Sequence, residues 1–148
     1  MKKAFTIVLA CIMIIGLCSC GGGVSKVTIQ KYGGDVSKVA IQKYESDLYT
    51  EKEISSAINV VIKYFENDFS GCTLTEITYA GDEESIRETE YYAEDANADE
   101  VIVLVSSFDV DSSGGDGSLT PNSTYSDWKW ILVRNKGGEW KYFTHGYA

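Results

Sequence analysis

Thr50-Glu51-Lys52-Glu53-Ile54-Ser55-Ser56-Ala57-Ile58-Asn59-Val60-Val61-Ile62-Lys63-Tyr64-Phe65-Glu66-Asn67-Asp68-Phe69 is the stretch on which the fold turns. Thr50 followed three residues later by Glu53 is a capping box: hydroxyl and carboxylate each satisfy a backbone N–H that the first helical turn leaves without a partner. Behind it Ile54, Ala57, Ile58, Val61, Ile62, Phe65 and Phe69 recur at helical spacing, so one face of a helix over 51–69 must be buried. Ser70-Gly71 ends it, because glycine takes the left-handed conformation without steric penalty.

The partner surface follows in sequence. Cys72 to Ala80 is rich in Thr, Ile and Tyr and reads as a strand; Gly81-Asp82 then opens a second helix to about Asp95. Nine carboxylates and one arginine fall between Asp82 and Glu100, a solvated helix face by composition. The Ile86, Glu90 and Ala93 face offers only a narrow apolar stripe, which predicts loose packing at a sheet edge or end. Val101 to Val105 is continuously apolar and β-branched, as a central strand covered on both sides requires. From Asp127 to Asn135 the chain alternates, with Trp128, Trp130 and Leu132 on one face and Lys129, Ile131 and Val133 on the other. Lys136-Gly137-Gly138 turns it back as a hairpin into 139–145. The class is α+β: an N-terminal helix packed on a curved antiparallel sheet of about four strands, the second, acidic helix on the same face.

Three features carry candidate chemistry. In Asp109-Val110-Asp111-Ser112-Ser113-Gly114-Gly115-Asp116-Gly117-Ser118, the residues Asp109, Asp111 and Ser113 before Gly114 imitate the start of a calcium loop, with Asp116 a further oxygen. The imitation stops at Thr120, which stands where a bidentate Glu belongs, so the expectation is a flexible acidic hairpin loop, with weak calcium binding as the alternative. His145, the single histidine, becomes a general base only if a cleft brings it to an orienting carboxylate such as Asp109 or Asp127. Tyr125, Trp128, Trp130, Trp140, Tyr142, Phe143 and Tyr147 crowd the last hairpin. Most are expected in the core, and Tyr125 and Tyr147 toward solvent; Tyr125, Trp128, Trp130 and Tyr147 are the ligand-facing candidates. No other cofactor motif, metal cluster or nucleophile elbow occurs.

The chain begins with an export signal. Lys2 and Lys3 precede an apolar run from Ala4 to Leu17, shorter than the roughly 20 residues a spanning helix needs. Leu17-Cys18-Ser19-Cys20 then resembles the lipobox of bacterial lipoproteins, which implies cleavage before Cys20, a diacylglycerol thioether on its thiol, further acylation by a chain such as palmitate, and attachment to the outer face of the cell membrane. An ordinary secretory signal is the alternative. The resulting division is a signal peptide over 1–19, a lipidated tether over 20–47 and one domain over 48–148. Cys11 and Cys18 leave with the signal and Cys20 is acylated, so Cys72 alone remains and no disulfide framework forms. Cys72 is expected as a small buried hydrophobe.

The tether contains a tandem duplication. Val-Ser-Lys-Val-Thr-Ile-Gln-Lys-Tyr-Gly-Gly-Asp at 24–35 returns at 36–47 as Val-Ser-Lys-Val-Ala-Ile-Gln-Lys-Tyr-Glu-Ser-Asp. Two copies are too few for a solenoid. Either one copy adds an edge strand to the domain or both are spacer, and the duplication reads as a change in stalk length of up to about 40 Å. Charge follows the same division: the net charge is −9, the tether is mildly basic, and from Leu48 onward seven basic side chains face nineteen acidic ones. That balance argues against nucleic-acid binding, which needs clustered Lys and Arg.

The element order resembles nuclear-transport-factor-2-like or cystatin-like domains. More narrowly, Tyr64-Phe65, Gly71-Cys72-Thr73-Leu74-Thr75, 98–104, 108–118, Pro121-Asn122-Ser123-Thr124-Tyr125 and 128–133 resemble a family of small Gram-positive lipoproteins, over about residues 48–148. The resemblance implies fold and location but no activity and no catalytic residue. The functional expectation is therefore a non-catalytic ligand- or protein-binding module. The alternative is a small enzyme with a cone-shaped pocket and a His/carboxylate pair. By analogy with the architecture, a homodimer through an open sheet face is a further expectation.

Overall fold

The computed structural model describes residues 33–147; the signal segment, Cys20 and most of the first repeat copy lie outside these residues. The elements are β1 (Ala40–Ile41), α1 (Glu51–Asp68), β2 (Cys72–Tyr79), α2 (Asp82–Ala96), β3 (Glu100–Val110), β4 (Thr124–Arg134) and β5 (Lys141–Gly146). They form an α+β fold with one open sheet of five strands in the order β1-β2-β3-β4-β5.

The expected sheet of about four antiparallel strands is corrected in two respects. A fifth strand, β1, comes from the second repeat copy, and it runs parallel to β2, so the sheet is mixed. Backbone bonds place that segment: Asp35 N–H donates to Cys72 O at 2.8 Å, Leu74 N–H to Asp35 O at 2.8 Å, and Gln42 N–H to Ile77 O at 3.1 Å. The added edge strand is one of the two outcomes the duplication leaves open; its parallel direction comes from long-range pairing, which local sequence does not report.

The helices also lie on opposite faces and not on one. The first face carries α1. Its capping box forms as expected, with Glu53 N–H donating to Thr50 Oγ1 at 3.3 Å and Thr50 N–H to Glu53 Oε2 at 2.9 Å. Ile54, Ala57, Ile58, Val61 and Phe65 are buried against Leu74, Ile77, Ile102, Leu104, Trp130 and Leu132. Gly71, with φ +72°, turns the chain into β2.

The other face carries α2, seated on Val101, Val103, Ile131 and Val133 through Tyr92, Ala93 and Ala96. The Ile86 stripe is not the contact: Ile86 is 50% exposed, and the buried residue of the helix is Ser85, whose Oγ accepts a bond from Val103 N–H at 3.1 Å. Small residues let this helix approach the sheet closely, so it packs across β3 where loose edge packing was expected. Lys129 on β4 ion-pairs with Glu84 and lies 3.7 Å from Glu88.

Candidate functional site

The space between α1 and the sheet is filled by rings. Phe65 stacks on Phe69 at 4.6 Å, and Phe69 and Phe108 close on each other edge to face at 5.5 Å. Trp130, fully buried, donates its indole N–H to Ser106 Oγ at 2.8 Å. At the other end Trp140 donates to Glu53 O at 3.1 Å and lies under the Arg134 guanidinium, 4.1 Å from its ring centre. The indole N–H groups of Trp130 and Trp140 are thus both satisfied.

Toward the C-terminal end of α1 the packing opens into a cleft of 290 Å³. Its aromatic wall is Tyr64, Phe69, Trp128 and His145; Asp68, Asp116 and Ser118 supply its polar groups. The loop after β3 forms the opposite wall. It is held down by Asp111, which accepts from Ser113 N–H at 2.7 Å and whose own N–H donates to Gly71 O at 2.9 Å. Gly115, where the loop passes over Ser70 and Cys72, takes φ +68°, a conformation that favours glycine.

His145 is held in the wall by rings on several sides, with Trp130 at 4.9 Å and Phe69 at 5.2 Å. Its Nδ1 shares a hydrogen bond with Tyr142 Oη at 2.8 Å. Burial lowers its pKa below the ordinary 6.5, against the opposing charge of Asp68, so the ring is neutral at neutral pH. Burial likewise raises the Tyr142 hydroxyl, which keeps its proton. Cys72 is buried, and its thiol is pushed up to about 11 by burial and by the charges of Asp111 and Asp116. It is a protonated thiol, a poor nucleophile.

Neither carboxylate expected near His145 stands in the cleft wall. Asp109 accepts from Thr124 Oγ1 at 2.6 Å on the exposed end of the sheet. Asp127 occupies a bulge where two residues of β4 face one of β3, with φ +56°, and lines the α2 side with Lys129. The carboxylate that the fold does bring is Asp68, one helical turn after Tyr64. Both sit at the margin of the apolar stripe of α1, which was the signal available in the sequence.

The oxygens of the calcium-like segment are engaged locally. Besides Asp109 and Asp111, Asp116 accepts from Ser118 N–H at 3.0 Å. The Ser113 and Ser118 hydroxyls, and then these N–H groups, hold the Asp111 and Asp116 carboxyls below their ordinary range. Among the described residues no three His, Cys, Asp or Glu are gathered as a ligand set.

Of the aromatic candidates, Trp130 is core and Tyr147 is 60% exposed. Tyr125 is half-buried, stacked on Phe108 at 5.2 Å, and accepts from Thr120 N–H at 3.0 Å. Trp128 is half-buried, and its indole N–H is buried without a hydrogen-bond partner. A second, wider groove of 560 Å³ runs between the repeat segment and the start of α1, lined by Ile41 to Ser46 and by Tyr49 and Ser55.

Comparison of this chain with protein-family models, with curated proteins and with solved structures gives no match.

Proposed function

We propose that this chain is a lipid-anchored, extracytoplasmic binding module without catalytic activity, held to the membrane through Cys20 and binding at the cleft beside His145. No helix among the described residues is long and apolar enough to cross a membrane; in this reading the anchor is the lipid on Cys20. The resemblance to small Gram-positive lipoproteins with a nuclear-transport-factor-2-like fold belongs to the same proposal.

The observation that carries the binding reading is Trp128. The indole N–H groups of Trp130 and Trp140 each have an acceptor, whereas that of Trp128, on the cleft wall, has none. A buried donor without a partner costs on the order of 1–3 kcal/mol, which a ligand acceptor recovers. The same cleft is lined by Asp68, Asp116 and a histidine whose pKa burial lowers. The ligand class is therefore a small molecule or side chain that offers an acceptor to Trp128 and a positive group to the carboxylates.

Two measurements test this. Palmitate labelling of whole cells should mark the protein and be lost in Cys20→Ala; labelling that persists overturns the anchor. A screen of small amines and amides followed by tryptophan fluorescence should find binders that Trp128→Phe weakens about tenfold or more, about 1.4 kcal/mol. Binders unaffected by Trp128→Phe overturn the cleft assignment, and turnover that His145→Gln abolishes replaces it with an enzyme.

A further inference from the structure

The segment that makes β1 fits a slot whose requirements are visible one by one. At its start, Gly33 and Gly34 lie on the last turns of α1: a Cβ on Gly33 would run into Glu66 O, and one on Gly34 into the Phe65 ring. Gly34 N–H donates to Phe65 O at 3.1 Å. Val36, Val39 and Tyr44 then pack on the core. Tyr44 Oη donates to Glu51 O at 3.2 Å and lies 3.1 Å from Ser55 Oγ. Ala40, Ile41 and Glu45 face solvent.

Every one of these requirements recurs twelve residues earlier. Gly21-Gly22 corresponds to Gly33-Gly34, Val24 to Val36, Val27 to Val39 and Tyr32 to Tyr44. The intervening backbone bonds, such as Gln42 N–H to Ile77 O, ask nothing of the side chain, and Gln30 stands at that place. Two of the substituted positions, Ala40 and Glu45, are exposed. What differs inside the slot is Asp35, replaced by Gly23, and Ser46, replaced by Gly34. Asp35 accepts from Ser37 N–H at 3.0 Å, and Ser46 Oγ reaches Asp82 at 2.5 Å.

We propose that this slot accepts either repeat copy of its own chain, by a shift of twelve residues in the pairing with β2. Residues 33–47 hold it in the major register, because only they supply the Asp35 and Ser46 bonds. In the minor register residues 21–35 take it, and 36–47 become a loop closing on Leu48. Exchange opens the β1 pairing together with the Gly34, Asp35 and Ser46 bonds and the Val36, Val39 and Tyr44 contacts, a local unfolding of the slot, and closing a twelve-residue loop adds little further entropy cost. The shift removes the whole of 21–32 from between Cys20 and the fold. With Cys20 lipidated, the span from membrane to domain then changes by up to about 40 Å.

The test uses the exported chain, residues 20–148, with Cys20→Ser and Cys72→Ser. Ala40 pairs with Glu76 in the described register, so Thr28 pairs with it in the shifted one. Under mild oxidation the A40C/E76C pair should cross-link readily and T28C/E76C slowly. Adding Gly34→Val, which blocks only the major register, should raise the T28C/E76C yield severalfold, and adding Gly22→Val should abolish it. In melting, Gly34→Val should cost no more than about 2 °C in this chain and about 5 °C or more once 21–32 are deleted. A T28C/E76C yield that Gly34→Val leaves unchanged overturns the proposal. So does an equal melting loss with and without 21–32. Cross-linked dimers in place of intrachain loops overturn it in favour of exchange between chains.

Discussion

The two faces of the sheet are covered by helices of unlike chemistry. Between α1 and the sheet lie Tyr49, Phe65, Phe69, Phe108, Trp130 and Trp140, while under α2 lie Val101, Val103, Ile131 and Val133, met by Tyr92 and alanines. Large rings bury much area each, but they interlock imperfectly at the end of a layer and carry polar edges that need partners. Small aliphatic residues interlock at close range and carry no polar edge of their own. The cleft, His145 and the unpartnered Trp128 N–H therefore all fall on the α1 face, and the α2 face is scaffold.

Truncation on each side tests that division at its largest. Trp130→Ala should cost about 3–5 kcal/mol, because a fully buried ring leaves a cavity that its neighbours fill only in part. Ile131→Ala, the next residue but on the α2 side, should cost about 2 kcal/mol, at the low end for a buried aliphatic side chain. Denaturant midpoints at constant m-value report both. If Ile131→Ala costs as much as Trp130→Ala, the aromatic face is not where the stability is concentrated.

Acid sharpens the comparison. Glu53 receives the Thr50 N–H, and Arg134 Nη2 donates to it at 2.6 Å, while Arg134 Nε bonds Glu100 at 2.7 Å. The capping bond, then the guanidinium, holds the Glu53 carboxyl down at about 2, against 4.5 when unfolded. A depressed folded pKa means the stabilisation is complete above pH 4.5 and is lost as the pH falls toward 2. Glu53→Gln should cost about 1–2 kcal/mol at pH 7. The gap between it and the parent should close between pH 5 and pH 2.5; a gap that holds constant would mean the carboxylate charge is not what matters.

The α1 half of this architecture was legible because each signal was local. The capping box, the helical stripe, the β-branched run of β3 and the alternation of β4 all report neighbours within a few residues. What escaped depended on distant pairing. The parallel pairing of β1, left open between edge strand and spacer, is defined only by β2, and α2 contacts the sheet through Ser85, Tyr92 and alanines, which no hydrophobic count singles out. Arg134 continues the inward phase of Trp130 and Leu132, and a charge at that phase was a readable sign of a buried ion pair. At the site, His145 and Trp128 were identifiable by type. Asp68 carried only a positional signal, one turn after Tyr64 at the margin of the α1 stripe, because it reaches the cleft from the end of α1, across the core from β5.

The smallest effect belongs to the pair that matches Glu53–Arg134 on the other face. Lys129 ion-pairs with Glu84, and the hydrogen bond it donates, followed by its charge, is the main reason the Glu84 carboxyl lies below its ordinary range. Both side chains remain about one-fifth exposed, at 20% and 18%, so water screens them, and Arg87 provides Glu84 with a second cation. Nothing like the Trp140 ring covers them. Lys129→Met, which keeps the apolar stem over the sheet, should therefore cost less than about 1 kcal/mol, and the difference should shrink further in molar salt. A loss exceeding that of Glu53→Gln would reverse the assignment: α2 would then be fastened by charge, and the close approach of Ser85 and the alanines would follow from it.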